Sequence, residues 1–336
     1  MKTATLDALT RSLAGSFAFC GIAAARGETR HFAIGCAPGI AATNDTMFRV
    51  ASVSKLVVGQ AVADLVRDNI TAWDADVSDM LGWPLRHPGH SQMPVTLGMV
   101  AAHHAGLADD AGYAIPADVS LQEWCQKRAV FKHQPGIFFE YANLGYIILA
   151  EILARLSGRS FVDAVARHLP DPAGFNWHGV TAARIARRLP TYRSDHGVFA
   201  PQIDADIAPV LPSRNPSVFS PQGGLRTSLD GMLQLAEGLR QSDRTALWTP
   251  QMGDGQYLDG VFECYGSGVQ IFRQPQFYPR PLVGHFGNAY GFNGGVWYDE
   301  TKDLSFAYAL NGLALGDESD DFSEEELQIF ATVADL

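Results

Sequence analysis

The sequence predicts an α/β protein of the α+β type, in which an antiparallel sheet is flanked by helices and carries a mostly helical insertion. Strand patterns occupy residues 15–35 and return between residues 268 and 310, whereas the segment between them has the pattern of helices joined by Pro- and Gly-rich loops. Strands at both ends of a chain are expected to share one sheet. We therefore expect residues 1–60 and 225–336 to form the sheet region and residues 61–224 a helical region, with a cleft between them.

The N-terminal segment predicts one helix and two strands. Thr5–Leu13 has a helical pattern, and Gly15–Ala25 and Arg30–Gly35 are typical of two strands joined by a polar turn. The apolar stretch that follows Lys2 is also compatible with a signal peptide. We favour the strands, and no apolar run is long enough to span a bilayer. We therefore expect a cytoplasmic protein that does not contact membranes.

The remaining elements follow from apolar periodicity and from residues that end helices. Helical spacing begins near Ser52 and again between Asn143 and Leu156, where Gly158 is placed to end the second helix. Residues 189–222 are rich in Pro, Ser and Asp, which favours a long ordered loop that contacts substrate. The predicted C-terminal strands and the helix after them are Gly268–Phe272, Pro281–Phe286, Gly291–Tyr298, Leu304–Leu310 and Phe322–Leu336.

Composition and motif content argue against several functions. The 336 residues carry a net charge of -11, and a nucleic-acid-binding protein usually shows a basic stripe. The nearest candidate for such a stripe, which we interpret as a solvated helix face, is Arg184, Arg187, Arg188 and Arg193. The sequence contains no Cys-x-x-Cys and no His-Glu-x-x-His. We expect no nucleic-acid partner, no metal and no cofactor.

The segment with the most chemical content is Phe48–Lys55, which contains Ser-x-x-Lys at a predicted helix N-terminus. Residues three apart share a helix face, so the Lys55 ammonium group would lie against the Ser52 hydroxyl. A lysine kept neutral by burial can remove the serine proton, and the backbone N–H groups of the first turn can stabilise an oxyanion. The alternative is that Ser52 only caps the helix and Lys55 lies at the surface.

Two further motifs occur downstream. Tyr141 and Asn143 form a Tyr-x-Asn motif before a predicted helix, and His285 and Gly287 form a His-x-Gly motif on a predicted strand. Taken singly, they are compatible with a core aromatic residue, a helix cap and an ordinary strand. Together and in this order, the three motifs resemble the active-site set of the serine β-lactamase and penicillin-binding protein superfamily, in its class C-like branch. The segments that extend this resemblance over most of the chain are Thr96–Leu107, Gln222–Ser228 and Gly284–Tyr298.

The resemblance implies a β-lactamase-like fold and a role for each motif residue. Ser52 would form an acyl-enzyme, and Lys55 and Tyr141 would share general acid–base duty as a coupled pair. Asn143 would hydrogen-bond Lys55 or the substrate amide. His285 would orient Tyr141 or the substrate. The backbone N–H groups implied for the oxyanion hole are those of Ser52 and Asn288.

The third motif departs from the pattern of the β-lactamases. It lacks their lysine, and Phe286 stands where many relatives carry threonine. A phenylalanine cannot hydrogen-bond the carboxylate of a β-lactam. We therefore expect Phe286 and Gly287 to contact an ester or amide substrate, and we expect inefficient penicillin hydrolysis.

The predicted reaction is hydrolysis of an ester or amide, possible substrates by family analogy being a D-amino-acid amide or a short D-peptide. Three alternatives stay open from sequence. The protein could be a penicillin-binding DD-carboxypeptidase or β-lactamase, an acyltransferase with the same nucleophile, or a non-catalytic binding protein on this scaffold. In each case the expected partner is a small molecule.

Overall fold

The computed structural model describes residues 3–202, 215–242, 247, 262–314 and 321–336. The strands of these residues are β1 (Phe19–Arg26), β2 (Thr29–Cys36), β3 (Phe48–Arg49), β4 (Gly174–Phe175), β5 (Tyr192–Asp195), β6 (Val198–Pro201), β7 (Leu225–Thr227), β8 (Cys264–Tyr265), β9 (Gln270–Phe272), β10 (Leu282–Ala289), β11 (Phe292–Asp299), β12 (Leu304–Asn311) and β13 (Leu313–Ala314). The α-helices are α1 (Ala4–Leu13), α2 (Ser54–Arg67), α3 (Val77–Leu81), α4 (Leu97–Ala101), α5 (Leu121–Lys127), α6 (Asn143–Ser157), α7 (Phe161–Val165), α8 (Ala182–Ile185), α9 (Leu229–Gln241) and α10 (Glu324–Ala334).

Both ends of the chain contribute to one sheet of seven strands. Its order is β2-β1-β12-β11-β10-β9-β8, and every neighbouring pair is antiparallel. Strand β1 pairs with β12, for example through Ile22 opposite Tyr308, so the sheet joins the N-terminal hairpin to the C-terminal strands. This confirms the predicted fold class.

Helices cover both faces of the sheet. On β11, Trp297 packs with α1 and α10, while its neighbours Val296 and Tyr298 belong to the core on the other face. All residues of β11 and β12 are buried, as expected for strands that have apolar contacts on both faces. The core that contains Val296 and Tyr298 also includes residues of α2 and α6, and it supports the cleft in which the sequence motifs meet.

The longer elements agree with the sequence predictions. Helix α6 ends at Gly158, which has the left-handed conformation at φ 65°, and α10 begins with a capping box formed by Ser323 and Glu326. Predicted strands at both ends of the chain are present within a few residues of their expected bounds. None of the described helices combines the length and apolar character needed to cross a bilayer.

Two predictions in the middle of the chain are wrong. The sequence predicts one long ordered loop over residues 189–222, but this segment contains the β5–β6 hairpin and a 3-10 turn at Pro216–Phe219. Residues 203–214 of that segment lie outside the described ranges. The four arginines do not share a helix face: only Arg184 lies on α8, Arg187 and Arg188 follow that helix, and Arg193 lies on β5 and lines the cleft. The short strands escaped prediction because four residues carry too little periodicity.

Candidate active site

The Ser-x-x-Lys, Tyr-x-Asn and His-x-Gly segments converge at a cleft of about 1520 Å³. Ser52 lines this cleft from a 3-10 turn, Ala51–Val53, that connects β3 to α2. Ala51 has a positive φ of 47°, which turns the chain sharply before the helix. The α-helix itself starts at Ser54, with Val53 at its N-cap position, so Ser52 is not a capping residue.

Lys55 points inward and has no exposed surface. Its Nζ lies 3.0 Å from Ser52 Oγ, 2.8 Å from Asn143 Oδ1 and 3.0 Å from the carbonyl oxygen of Gln222. The interpretation of Lys55 as a surface residue is therefore wrong. Three segments that are distant in sequence meet at this one nitrogen.

The surroundings of Lys55 favour its neutral form. Burial is the main cause that lowers the pKa of Lys55 well below its usual range, and the Arg49 guanidinium acts in the same direction. The Asp109 carboxylate opposes both effects. A neutral amine has two N–H donors and one lone pair, and the two carbonyl oxygens of Asn143 and Gln222 can take both donors. The lone pair is then left for the Ser52 hydroxyl.

Tyr141 lies beside the same lysine. Its ring centre is 4.6 Å from Lys55 Nζ, and its buried hydroxyl makes no hydrogen bond of normal geometry within the described residues. Burial raises the pKa of Tyr141, and the nearby Ser52 side chain lowers it by a smaller amount. Burial thus favours the protonated phenol of Tyr141 and the neutral amine of Lys55, a combination that would place a proton donor next to the serine.

Asn143 is the first residue of α6, and sequence reasoning missed the group that holds it. The Asp109 carboxylate accepts hydrogen bonds from the backbone N–H of Asn143 at 2.8 Å, from its side-chain Nδ2 at 2.9 Å and from the backbone N–H of Leu144 at 3.1 Å. Asp109, and not Asn143, thus satisfies the start of the helix. The sequence signal that could have pointed to Asp109 is its position shortly after the His-Ala-Gly-Leu segment at residues 104–107.

His285 lies on β10 and is fully buried. Its Nδ1 faces the carbonyl oxygen of Phe286, which can only accept, so Nδ1 carries the proton and Nε2 accepts from the Tyr265 hydroxyl at 2.7 Å. Burial lowers the pKa of His285 to about 3, with Lys55 acting in the same direction. The ring centres of His285 and Tyr141 are 6.3 Å apart, and both ring nitrogens of His285 are directed to other groups.

Strand β10 passes directly against the turn that carries Ser52. A Cβ atom at Gly287 would lie 2.5 Å from the carbonyl oxygen of Val50 and 3.2 Å from the backbone nitrogen of Ser52. Only glycine permits this approach. The next residue, Asn288, lines the cleft together with Ser52. The oxyanion hole formed by the backbone N–H groups of Ser52 and Asn288 stays a prediction.

We expect Gly287→Ala to lower kcat/KM for ester hydrolysis by about 100-fold, because the added methyl group would push β10 away from the turn that carries Ser52 and misplace the groups that line the cleft. Steady-state hydrolysis of a nitrophenyl ester measures this effect. The matched control is Gly238→Ala on α9, where the nearest atom to a new Cβ is the end of the Gln60 side chain at 3.8 Å. Equal activities of the two variants would show that the close approach has no role.

Aromatic side chains form one wall of the cleft. Phe262 packs 5.0 Å from Phe139, 5.2 Å from Tyr141 and 5.8 Å from Phe286, measured between ring centres. All four side chains line the cleft. This wall offers apolar contact next to Ser52 and no charged group.

Cationic side chains line another part of the cleft, and sequence reasoning assigned no role to them. Arg49 donates from Nε to the carbonyl oxygen of Gly223 at 2.8 Å and stacks over the Tyr290 ring at 4.6 Å. Arg193 also lines the cleft. Arg49 comes three residues before Ser52 in the motif segment, which was the signal available for its position.

Comparison with known proteins identifies the family. The family model described as Beta-lactamase matches residues 18–328, and the chain belongs to that family. A D-aminopeptidase of Brucella anthropi is 24% identical, over 65% of this chain and 42% of the relative. The chain spans about half the length of the curated relatives that it matches, with 42%, 45% and 57% of three of them covered.

Two solved structures share the fold over almost the whole chain. The D-amino acid amidase of Ochrobactrum anthropi SV3 superposes with a TM-score of 0.77 at 18% identity, with 99% of this chain and 97% of the amidase chain covered. EstCE1, described as a hydrolase with promiscuous acyltransferase activity, superposes with a TM-score of 0.78 at 18% identity, with 99% and 98% covered. At this identity the superpositions establish the fold.

Proposed function

We propose that the protein is a serine hydrolase that cleaves an ester or amide through an acyl-enzyme on Ser52. One observation carries the proposal: the buried Nζ of Lys55 lies 3.0 Å from Ser52 Oγ, with two carbonyl oxygens placed to accept its hydrogens. This leaves the lysine lone pair directed at the serine proton. A binding protein has no chemical need for a buried, neutral lysine in contact with a serine.

In the proposed acylation, Lys55 removes the proton of Ser52 Oγ as the oxygen attacks the substrate carbonyl carbon. The carbonyl oxygen becomes negative and is stabilised by the backbone N–H groups of Ser52 and Asn288. Tyr141 donates its proton to the leaving alcohol or amine as the bond to the carbonyl carbon breaks. Proton transfer from the Lys55 ammonium to the Tyr141 phenolate then restores both groups.

Deacylation follows the same path in reverse. A water molecule takes the place of the leaving group, and its proton passes to the Lys55 and Tyr141 pair as its oxygen attacks the ester carbon. The second tetrahedral intermediate collapses, the proton returns to Ser52 Oγ, and the carboxylic acid leaves. His285 acts only on the position of its strand in this scheme, since both of its ring nitrogens are engaged elsewhere.

The substrate that fits the cleft is a small ester or amide with an apolar acyl group. The aromatic wall next to Ser52 supports this choice, because each buried CH₂ contributes about 0.8 kcal/mol. The relatives include a D-aminopeptidase, a D-amino acid amidase and a hydrolase with acyltransferase activity. Amides of D-amino acids with apolar side chains are therefore the first amide substrates to test.

We expect kcat/KM to be higher for a nitrophenyl butyrate ester than for a penicillin. We expect Phe286→Thr to reduce this difference in kcat/KM. A hydrogen bond to a charged group is worth about 1.5–3 kcal/mol, so the threonine hydroxyl should raise kcat/KM for the penicillin by roughly 10- to 100-fold. Activity on the butyrate ester should fall because the aromatic wall is opened. The ratio of kcat/KM for the two substrates is the readout.

The rate of penicillin turnover by the wild-type protein can contradict this prediction. Penicillin turnover by the wild type at the rate of a dedicated β-lactamase would contradict the ester and amide assignment. The same reactions with an added alcohol test the acyltransferase alternative, because transfer gives a new ester in place of the free acid.

A further inference from the structure

Asp109 lies in the segment after α4, outside the three motifs, and its carboxylate faces the start of α6. We infer that Asp109 is a positioning residue that fixes the orientation of the Asn143 amide and thereby directs the lone pair of Lys55 to Ser52. The inference rests on the proposed function, since it assigns Asp109 a part in the same acylation step. It is carried by the three hydrogen bonds that the carboxylate accepts from Asn143 and Leu144.

An asparagine amide has one accepting and one donating end, and its partners decide which end faces which way. The Asp109 carboxylate can only accept, so it holds the Nδ2 end of Asn143 at 2.9 Å. The Oδ1 end then faces Lys55 Nζ at 2.8 Å and takes one of its N–H bonds.

The opposite orientation of the amide would block the reaction. With Nδ2 towards Lys55, the amide would donate a hydrogen bond to the amine lone pair. That lone pair is the one that must accept the Ser52 proton. Asp109 therefore controls the availability of the base, although it does not contact the reacting atoms.

The charge of Asp109 should also affect the pH dependence of kcat/KM, which a purely structural role of this residue would leave unchanged. The Asp109 carboxylate raises the pKa of Lys55, against the larger effect of burial. Removing this charge should lower the pKa further, and the acidic limb of the kcat/KM profile should move to lower pH. The other titratable or charged groups that face Lys55 are Arg49, His103, Tyr141, Tyr146 and His285.

The test compares Asp109→Asn with Asp110→Asn, a substitution of the exposed neighbouring carboxylate. Pre-steady-state acylation by nitrophenyl butyrate is followed from about pH 5 to about pH 9, roughly two pH units on either side of neutrality. In Asp109→Asn we expect acylation to slow by on the order of 10- to 100-fold and the acidic limb to shift to lower pH. Asp110→Asn should match the wild type in both readouts.

Each outcome separates this inference from the proposed function. If the wild type acylates and Asp109→Asn matches it in rate and pH profile, the inference is overturned and the proposed function stands. If the wild type forms no acyl-enzyme, the proposed function fails and the inference with it. Combination with Asn143→Ala tests the pathway, because Asp109→Asn should slow that variant little further, and fully additive losses would contradict a role through the amide.

Thermal unfolding checks that each variant is folded. If Asp109→Asn does not fold, Asp109→Glu replaces it, because the glutamate keeps the charge and displaces the carboxylate by one methylene. We then expect slower acylation with the acidic limb at the wild-type pH. An acylation rate equal to that of the wild type would overturn the inference.

Discussion

Replacement of Ser52 by alanine is expected to reduce kcat/KM for an activated ester by about 10⁴-fold or more, because the hydroxyl that lies 3.0 Å from Lys55 Nζ is lost and no acyl-enzyme can form on it. The substitution removes one oxygen from a partly exposed side chain in the cleft, so the fold should persist. Initial rates of nitrophenyl butyrate hydrolysis give the effect, and circular dichroism checks the fold.

Ser54 provides the matched control for Ser52. It is the first residue of α2, two positions after Ser52, but its hydroxyl donates to the carbonyl oxygen of Ala51 at 2.6 Å and accepts from the backbone N–H of Leu225 at 3.0 Å. Ser54→Ala should lower the free energy of unfolding by about 1–3 kcal/mol, since it leaves a buried N–H unpaired, and should leave the serine chemistry intact. A Ser52→Ala variant as active as Ser54→Ala would exclude Ser52 as the nucleophile.

The second large effect is expected from Lys55→Met. Methionine fills a similar volume without a lone pair or a charge, so acylation loses its base and should slow by about 10²- to 10⁴-fold. The exposed Lys127, which pairs with Glu123 on the surface of α5, gives the control Lys127→Met. The rate of acylation under single-turnover conditions is the measurement, and a fast Lys55→Met variant would assign the base to another group.

The pH dependence of the wild type follows from the same lysine. Lys55 is active when it is unprotonated, so kcat/KM should rise as pH increases through its pKa. Burial lowers this pKa, so the rise should occur well below the pH at which an exposed lysine loses its proton. The positive charge of Arg49 lowers the pKa of Lys55. Replacement of Arg49 by an uncharged residue should therefore move the rise in kcat/KM to higher pH.

Local pattern was sufficient to predict most of the long elements of the fold, although not α9. Regular apolar periodicity over several helical turns or strand repeats marks the β1–β2 hairpin, α6 and α10. Gly158 also marks the end of α6, and Ser323 marks the start of α10. Helical spacing also predicted that Lys55 meets Ser52, and the resemblance to a known family added what periodicity cannot supply, namely that Asn143 meets Lys55.

The missed features are contacts between segments that are far apart in sequence. Asp109 meets Asn143 across 34 positions, and Tyr265 meets His285 across 20, and neither pairing leaves a local pattern. Arg193 was misplaced because the arginines before it suggested one continuous helix, whereas the chain leaves α8 and enters β5. The division of the chain into a sheet region of residues 1–60 and 225–336 and a helical region of residues 61–224 stays a prediction.

Intact-mass spectrometry of the protein mixed with nitrophenyl butyrate and quenched in acid tests the acyl-enzyme on Ser52 most directly. We expect a transient mass increase of one butyryl group in the wild type, mapped by peptide digestion to the segment that contains Ser52, and no such increase in Ser52→Ala. A butyryl adduct that persists in Ser52→Ala, or ester turnover by the wild type without any adduct, would contradict the acyl-enzyme mechanism.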